Sequence, residues 1–216
     1  MSQYTVKQGD HLTKIARAHG FSDYRTIWDH PSNADLKKKR ENPNILFPGD
    51  IVNIPDEDKE LKKVTGSTEK KHTFEKKGKS LMLRLELRHW NNKPMADAEC
   101  SLEVGGELFP GKTDAKGRVE IEIPSDAENG KLKLSEGPYR ELPFKIGHLD
   151  PVDEITGQKG RLNNLGYNSG PVDDEDTAQF HSAVEEFQID FFKTTTEVDG
   201  KCGTKTQKKM KEAYGC

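Results

Sequence analysis

Cysteine is scarce in this chain of 216 residues, which has only Cys100, Cys202 and Cys216. An odd count at wide spacing is not a disulfide framework. Cys202 and Cys216 are close enough in sequence to pair near the C-terminus; free thiols in a reducing compartment are the alternative. The seven histidines are scattered, and neither His-x-x-x-His nor Cys-x-x-Cys spacing occurs. No zinc site or other metal site is therefore expected, and no cofactor. No run approaches the roughly 20 apolar residues that a membrane span needs. Apolar residues make up 31% of the chain and charged residues 33%, too few apolar groups for one extended core. Several small modules with wet surfaces fit that balance better. The net charge of −3 argues against nucleic acid as the main partner. Residues 1–4 lead straight into the first strand, with no charged-then-apolar export signal, so the chain is expected to start in the cytoplasm.

What is present is organised around residues 4–55. Tyr4, Thr5 and Val6 suit a short strand. Gly9 and Asp10 suit a turn, and Asp10 suits the cap of a following helix. Leu12, Ile15, Ala16 and His19 recur at helical spacing, and Gly20 ends that helix. Pro48-Gly49 reads as a turn, and Ile51, Val52 and Ile54 read as a second strand. The order is strand, helix, helix, strand. The opening YTVKQGDHLTKIA and the closing LFPGDIVNIP resemble the LysM domain, a βααβ module that binds N-acetylglucosamine-containing polymers. The resemblance implies a shallow groove between two loops. Gly9, Asp10, His11 and Leu12 form one wall, and Asn44, Ile45, Leu46 and Phe47 the other. Backbone amides would take the acetamide and apolar side chains the sugar face. The chain departs from a plain LysM in residues 27–40, which lengthen the second helix region and put a basic turn, Lys37-Lys38-Lys39-Arg40, beside the groove.

Residues 57–73 are polar and charged and read as a linker. From Phe74 to Gly147 the period changes to two. Leu81, Leu83, Leu85 and Leu87 alternate with Met82, Arg84, Glu86 and Arg88. Cys100, Leu102 and Val104 continue the alternation, and Gly105-Gly106 reads as a hairpin turn before a return strand at 107–109. After a turn at 113–117, Val119, Ile121 and Ile123 alternate with Glu120 and Glu122, a solvated face rather than a carboxylate pair. A further turn at 125–130 precedes a strand at 131–135. Short strands at this spacing imply an antiparallel β-sandwich. The runs Asn92-Lys93-Pro94-Met95-Ala96-Asp97-Ala98 and Thr113-Asp114-Ala115-Lys116-Gly117 resemble the transthyretin-like or carboxypeptidase-regulatory-like sandwich, which implies a spacer or docking role.

Residues 148–216 read as three short helices. Pro151 suits the approach to the first, which ends at Gly166. Phe180, Ala183, Val184 and Phe187 share one face of the second, over 177–189, and the third spans 204–214. Asp173-Asp174-Glu175-Asp176 reads as a solvated acidic helix start that suits the dipole rather than as a cation site. The runs RLNNLGY, GPVDDEDTAQFHSAVEEFQ and VDGKCGTKTQKKM resemble the three-helix peptidoglycan-binding module of wall hydrolases. The resemblance implies binding positions at Asp199, Gly200 and Thr204.

The expected class is thus α+β multidomain: a LysM module at 1–56, a linker at 57–73, a sandwich at 74–147 and a three-helix module at 148–216. In this order the modules resemble a whole-chain family that accompanies contractile injection machines, chiefly type VI secretion, beside the valine-glycine-repeat spike or its cargo. The resemblance implies a non-enzymatic protein whose partner is peptidoglycan, with spike or effector proteins as further partners and with no nucleic acid or membrane. It also implies loading in the cytoplasm and action at the periplasm or cell wall. A purely protein-binding adaptor is the alternative. A wall hydrolase is a third reading, for which no acid, base or metal constellation stands out.

Overall fold

The computed structural model describes residues 1–56, 71, 81–89, 91–135, 141–192 and 194–216. The expected linker lies outside the described residues, Lys71 excepted, as does the expected start of the second module at 74–80. Among the described residues no helix is long and apolar enough to cross a membrane.

The first module pairs β1 (Ser2–Thr5) with β2 (Ile51–Ile54), antiparallel, with Tyr4 opposite Val52. Between them lie α1 (Leu12–Ala18), α2 (Arg25–Trp28), a 3₁₀ turn (Pro31–Asn33) and α3 (Ala34–Arg40). Leu12, Ile15, Ala16, Ile27, Trp28, Leu36, Leu46, Val52 and Ile54 form its core. The buried Asn33 ties the layers: its amide donates to the Ile27 and Asn53 carbonyls and accepts from Asn53 N. Two expectations need correction. The helix cap is His11, not Asp10: His11 Nδ1 accepts from Lys14 N, while the Asp10 carboxylate takes Tyr4 Oη and Lys7 N. Residues 37–40 are the last turns of α3 rather than a basic surface turn, and Arg40 points inward. Its guanidinium grips Asp50 through Nε at 2.6 Å and Nη2 at 3.0 Å, and the two side chains are only 1% and 4% exposed.

The second module has a two-stranded sheet, β3 (Leu81–Glu86) with β6 (Arg118–Ile123). Its four-stranded sheet has the order β5-β4-β7-β8, from β4 (Glu99–Val104), β5 (Glu107–Lys112), β7 (Asn129–Leu134) and β8 (Glu141–Lys145). All neighbouring strands are antiparallel. Val119, Ile121 and Ile123 of β6 share one apolar cluster with Leu102, Val104 and Leu132 of the larger sheet. Gly105 and Gly106 both have positive φ, as the two-residue hairpin turn requires. The two runs that carried the sandwich resemblance meet: Thr113 Oγ1 accepts from Ala98 N and donates to Met95 O. Strand β8 has no counterpart in the sequence reading. Pro143 within it cannot donate to a ladder, and a sheet edge is where that is tolerated.

The third module has α4 (Ile155–Leu165), α5 (Ala178–Phe191) and α6 (Thr204–Tyr214). Leu162, Phe180, Ala183, Val184, Phe187 and Met210 form its core. Gly166, at φ +97°, ends α4 as expected. Pro151 does not lie at the helix start. It sits four residues upstream, where its carbonyl accepts from Glu154 N. Residues 173–176 likewise do not open α5, whose cap is Thr177. Asp173 instead neutralises Lys159, a side chain only 1% exposed, and Asp176 pairs with His181. All three cysteines are free, so Cys202 and Cys216 do not pair.

Burial alone would push the Asp50 carboxyl up, but hydrogen bonds from Arg40 and from Phe47 N outweigh it and hold the group below the usual carboxylate range. A lowered folded value stabilises fully above the unfolded value and less as pH falls. The pair's contribution should therefore be complete above about pH 4 and drain away in more acid solution. Arg40→Ala should cost about 3–5 kcal/mol in denaturant unfolding at neutral pH, because it strands a buried charge. Asp50→Asn should flatten the acid limb of the stability curve.

Candidate functional site

The two loops expected to face each other do so. Leu12 N donates to Pro43 O across the gap at 3.1 Å. That bond also begins to close it. Asn44 N donates to the Asn42 side chain, Ile45 N to Asn42 O, and Phe47 N to Asp50. Four amides on which an acetamide would draw thus donate within the protein.

Of the side chains, Asp10, His11, Leu12, Ile45 and Leu46 are buried, and Leu12 and Leu46 belong to the module's core. Asn44 is exposed, and Phe47 is half-buried beneath the Arg40 guanidinium, 5.5 Å from ring centre to Cζ.

A segment from elsewhere in the chain covers the first wall. Gly9 has φ +86°, and a side chain there would meet the His148 ring at 3.1 Å. Gly147 has φ +74°, and a side chain on it would meet Gly9 O at 2.7 Å. Helix α1 is held to the second module from the same side: Lys14 Nζ bonds Glu128 at 2.7 Å, and Arg17 Nη1 bonds Ser125 Oγ at 2.6 Å. The chain leading into the second wall, residues 40–42, faces the third module. Arg40 Nη1 lies 3.7 Å from Asp153, and Lys211 Nζ donates to Glu41 at 3.1 Å. Between them is a cleft of about 570 Å³ that takes in Asn42 and Ile45 on one bank and Gln207 and Lys208 of α6 on the other.

Asp199, Gly200 and Thr204 have separate roles. Gln188, buried on α5, accepts from the amides of Asp199 and Gly200 and donates to Asp199 Oδ1 and Thr206 Oγ1. Asp199 and Gly200 are thereby a braced turn of the module itself, while Thr204 is exposed at the start of α6. Gln188 was not picked out in the sequence, where it reads as one more polar residue after Phe187. Among the described residues no group of three histidine, cysteine or acidic side chains is placed to hold a metal ion. Burial raises the pKa of the Tyr214 hydroxyl and lifts that of the Cys202 thiol to about 12, in both cases against the lowering charge of Arg161.

Comparison with known families agrees with the two ends of the chain. Residues 4–28 match the LysM domain model, and residues 153–210 match the model described as "Putative peptidoglycan binding domain". Together these matches support peptidoglycan binding. The first match contains the wall at residues 9–12 and stops short of the wall at 44–47. No curated protein and no solved structure gives a match.

His11 is 2% exposed, and its Nε2 has no hydrogen-bond partner among the described residues. Burial, then the charge of Lys14, lowers its pKa to about 4. Stability from the neutral ring is therefore complete above the unfolded value near 6.5 and lost as pH falls towards 4. The loss should approach about 3 kcal/mol. His11→Asn, which retains a capping acceptor, should remove this slope from unfolding midpoints measured between pH 7 and 4.

Proposed function

We propose that the chain holds peptidoglycan without cleaving it, as an accessory or adaptor of a type VI secretion spike or of its effector. The observation that carries the binding half is the shared cleft. Ile45 of the LysM-like module's second wall, with residues 39–42 beside it, and helix α6 of the other matched module face the same space. In this reading the middle module is a transthyretin-like β-sandwich that acts as a spacer, and the third is a three-helix peptidoglycan-binding unit. The reading assigns no reaction to the chain. It places the protein in the cytoplasm before delivery and at the periplasm or cell wall afterwards.

A second reading, an adaptor that binds only protein, draws on one specific feature. Gly147 and His148 already occupy the surface of Gly9, and four of the groove's amides are spent internally. Binding to sacculi separates the two. Purified protein should co-sediment with insoluble sacculi, and the supernatant should contain no soluble muropeptides. Absence from the pellet, together with recovery of spike or effector proteins from cell extract, would favour the adaptor. Release of muropeptides by the pure protein would contradict the non-catalytic assignment.

A further inference from the structure

We infer that the cleft between the first and third modules takes a short peptide bearing free carboxylates, the chemistry of the stems that peptidoglycan carries on its glycan strands. The inference rests on the peptidoglycan-binding reading and names the part of the polymer held there.

The size is right for a few residues of peptide: about 570 Å³ lies within the range of small-ligand sites. The charge is the stronger argument. Five cationic and three acidic side chains line the space. Each acid already has a cation nearby: Glu41 has Lys211, Glu212 has Lys209, and Asp153 has Arg40. The cations are not matched in return. Lys39 and Arg40 share the single carboxylate of Asp50 behind the wall. Arg161 is fully buried and bonds the main-chain oxygens of Asp150, Gly157 and Cys216. Lys208 is exposed and has no hydrogen-bonded or ionic partner among the described residues. An exposed lysine therefore stands on each bank: Lys39 on α3, which shares Asp50 with Arg40, and Lys208 on α6, which is unpaired among the described residues. Between them lie the apolar surfaces of Ile45, Pro151 and Val152, which suit the methyl groups of small residues.

A neutral N-acetylated sugar has no use for this arrangement. A flexible peptide with carboxylates at separated positions does, because charge-assisted hydrogen bonds to lysine are the stronger kind. The cleft also exists only when the two modules are docked, so the site belongs to the assembled chain and to neither module alone.

The test is titration of the full-length protein with the free tetrapeptide stem, with the same peptide amidated at its carboxylates, and with an N-acetylglucosamine oligomer, followed by calorimetry. The wild type should bind the free stem. Amidation should weaken binding about tenfold, as should Lys208→Ala. Lys39→Ala should weaken it to a similar degree and the double variant further. Both lysines are exposed, and an unchanged thermal midpoint would show that the variants are folded. No binding of the stem by the wild type, or equal binding by the double variant, overturns the inference. Sacculus retention without stem binding overturns the cleft assignment and leaves peptidoglycan binding standing. Stem binding without sacculus retention overturns the peptidoglycan reading and leaves the site. Phosphate competing as well as the stem would show that the cleft selects anions without regard to carboxylates, and that too overturns the inference.

Discussion

Two glycines in backbone contact set the arrangement of this molecule. Gly147 and Gly9 approach so closely that a side chain on Gly147 would strike the Gly9 carbonyl, and both have positive φ. From that contact the chain runs in both directions into separate cores. Ile146 is buried in the apolar cluster of the second module, and Val152 packs on that of the third. Five residues, 147–151, thus connect two cores while pressing on a loop of the first module. Gly157 of α4 lets the carbonyls of Asp150 and Pro151 lie against its helix, since a side chain there would overlap both. The flanking ion pairs, Lys14 with Glu128 and Lys211 with Glu41, are exposed and individually weak. They orient modules that the junction already holds together.

The small cores are supplemented by buried cations, and the charged composition shows why that is workable. Arg40, Lys159 and Arg161 are among the least exposed side chains in the protein. Each is neutralised or solvated differently: by a carboxylate that is itself buried, by a partly exposed Asp173, and by backbone carbonyls. Such groups stabilise only while their partners are present, and they fix geometry more narrowly than an aliphatic contact would. Arg40 and Arg161 also stand at the rim of the inter-module cleft. Two of the residues that replace apolar packing thus also line the cleft.

Local structure was largely legible in the sequence because period and punctuation are local signals. The alternation at 81–87 and 119–123, the Gly105-Gly106 hairpin and the helix stops at Gly20 and Gly166 all appear where their residues indicate. The misses have physical causes. His11 caps α1 because the Asp10 carboxylate is already committed to Tyr4 and Lys7. Strand β8 escaped because the proline at its centre, Pro143, marks a turn as readily as a sheet edge. Gln188 and Arg40 were unremarkable because a buried polar residue looks like any surface one until its partners are known. For the candidate site, the approach of the two loops was legible, but the burial of their side chains was not. Whether Gly9 faces solvent depends on Gly147 and His148, far away in sequence at the junction before the third module.

Backbone ¹⁵N relaxation on the full chain tests most directly whether the junction holds the modules together. The account predicts one rotational correlation time for residues of all three modules in the wild type, and separate, shorter times once Gly147→Val forces the contact with Gly9 apart. Independent tumbling of the modules in the wild-type protein would contradict it.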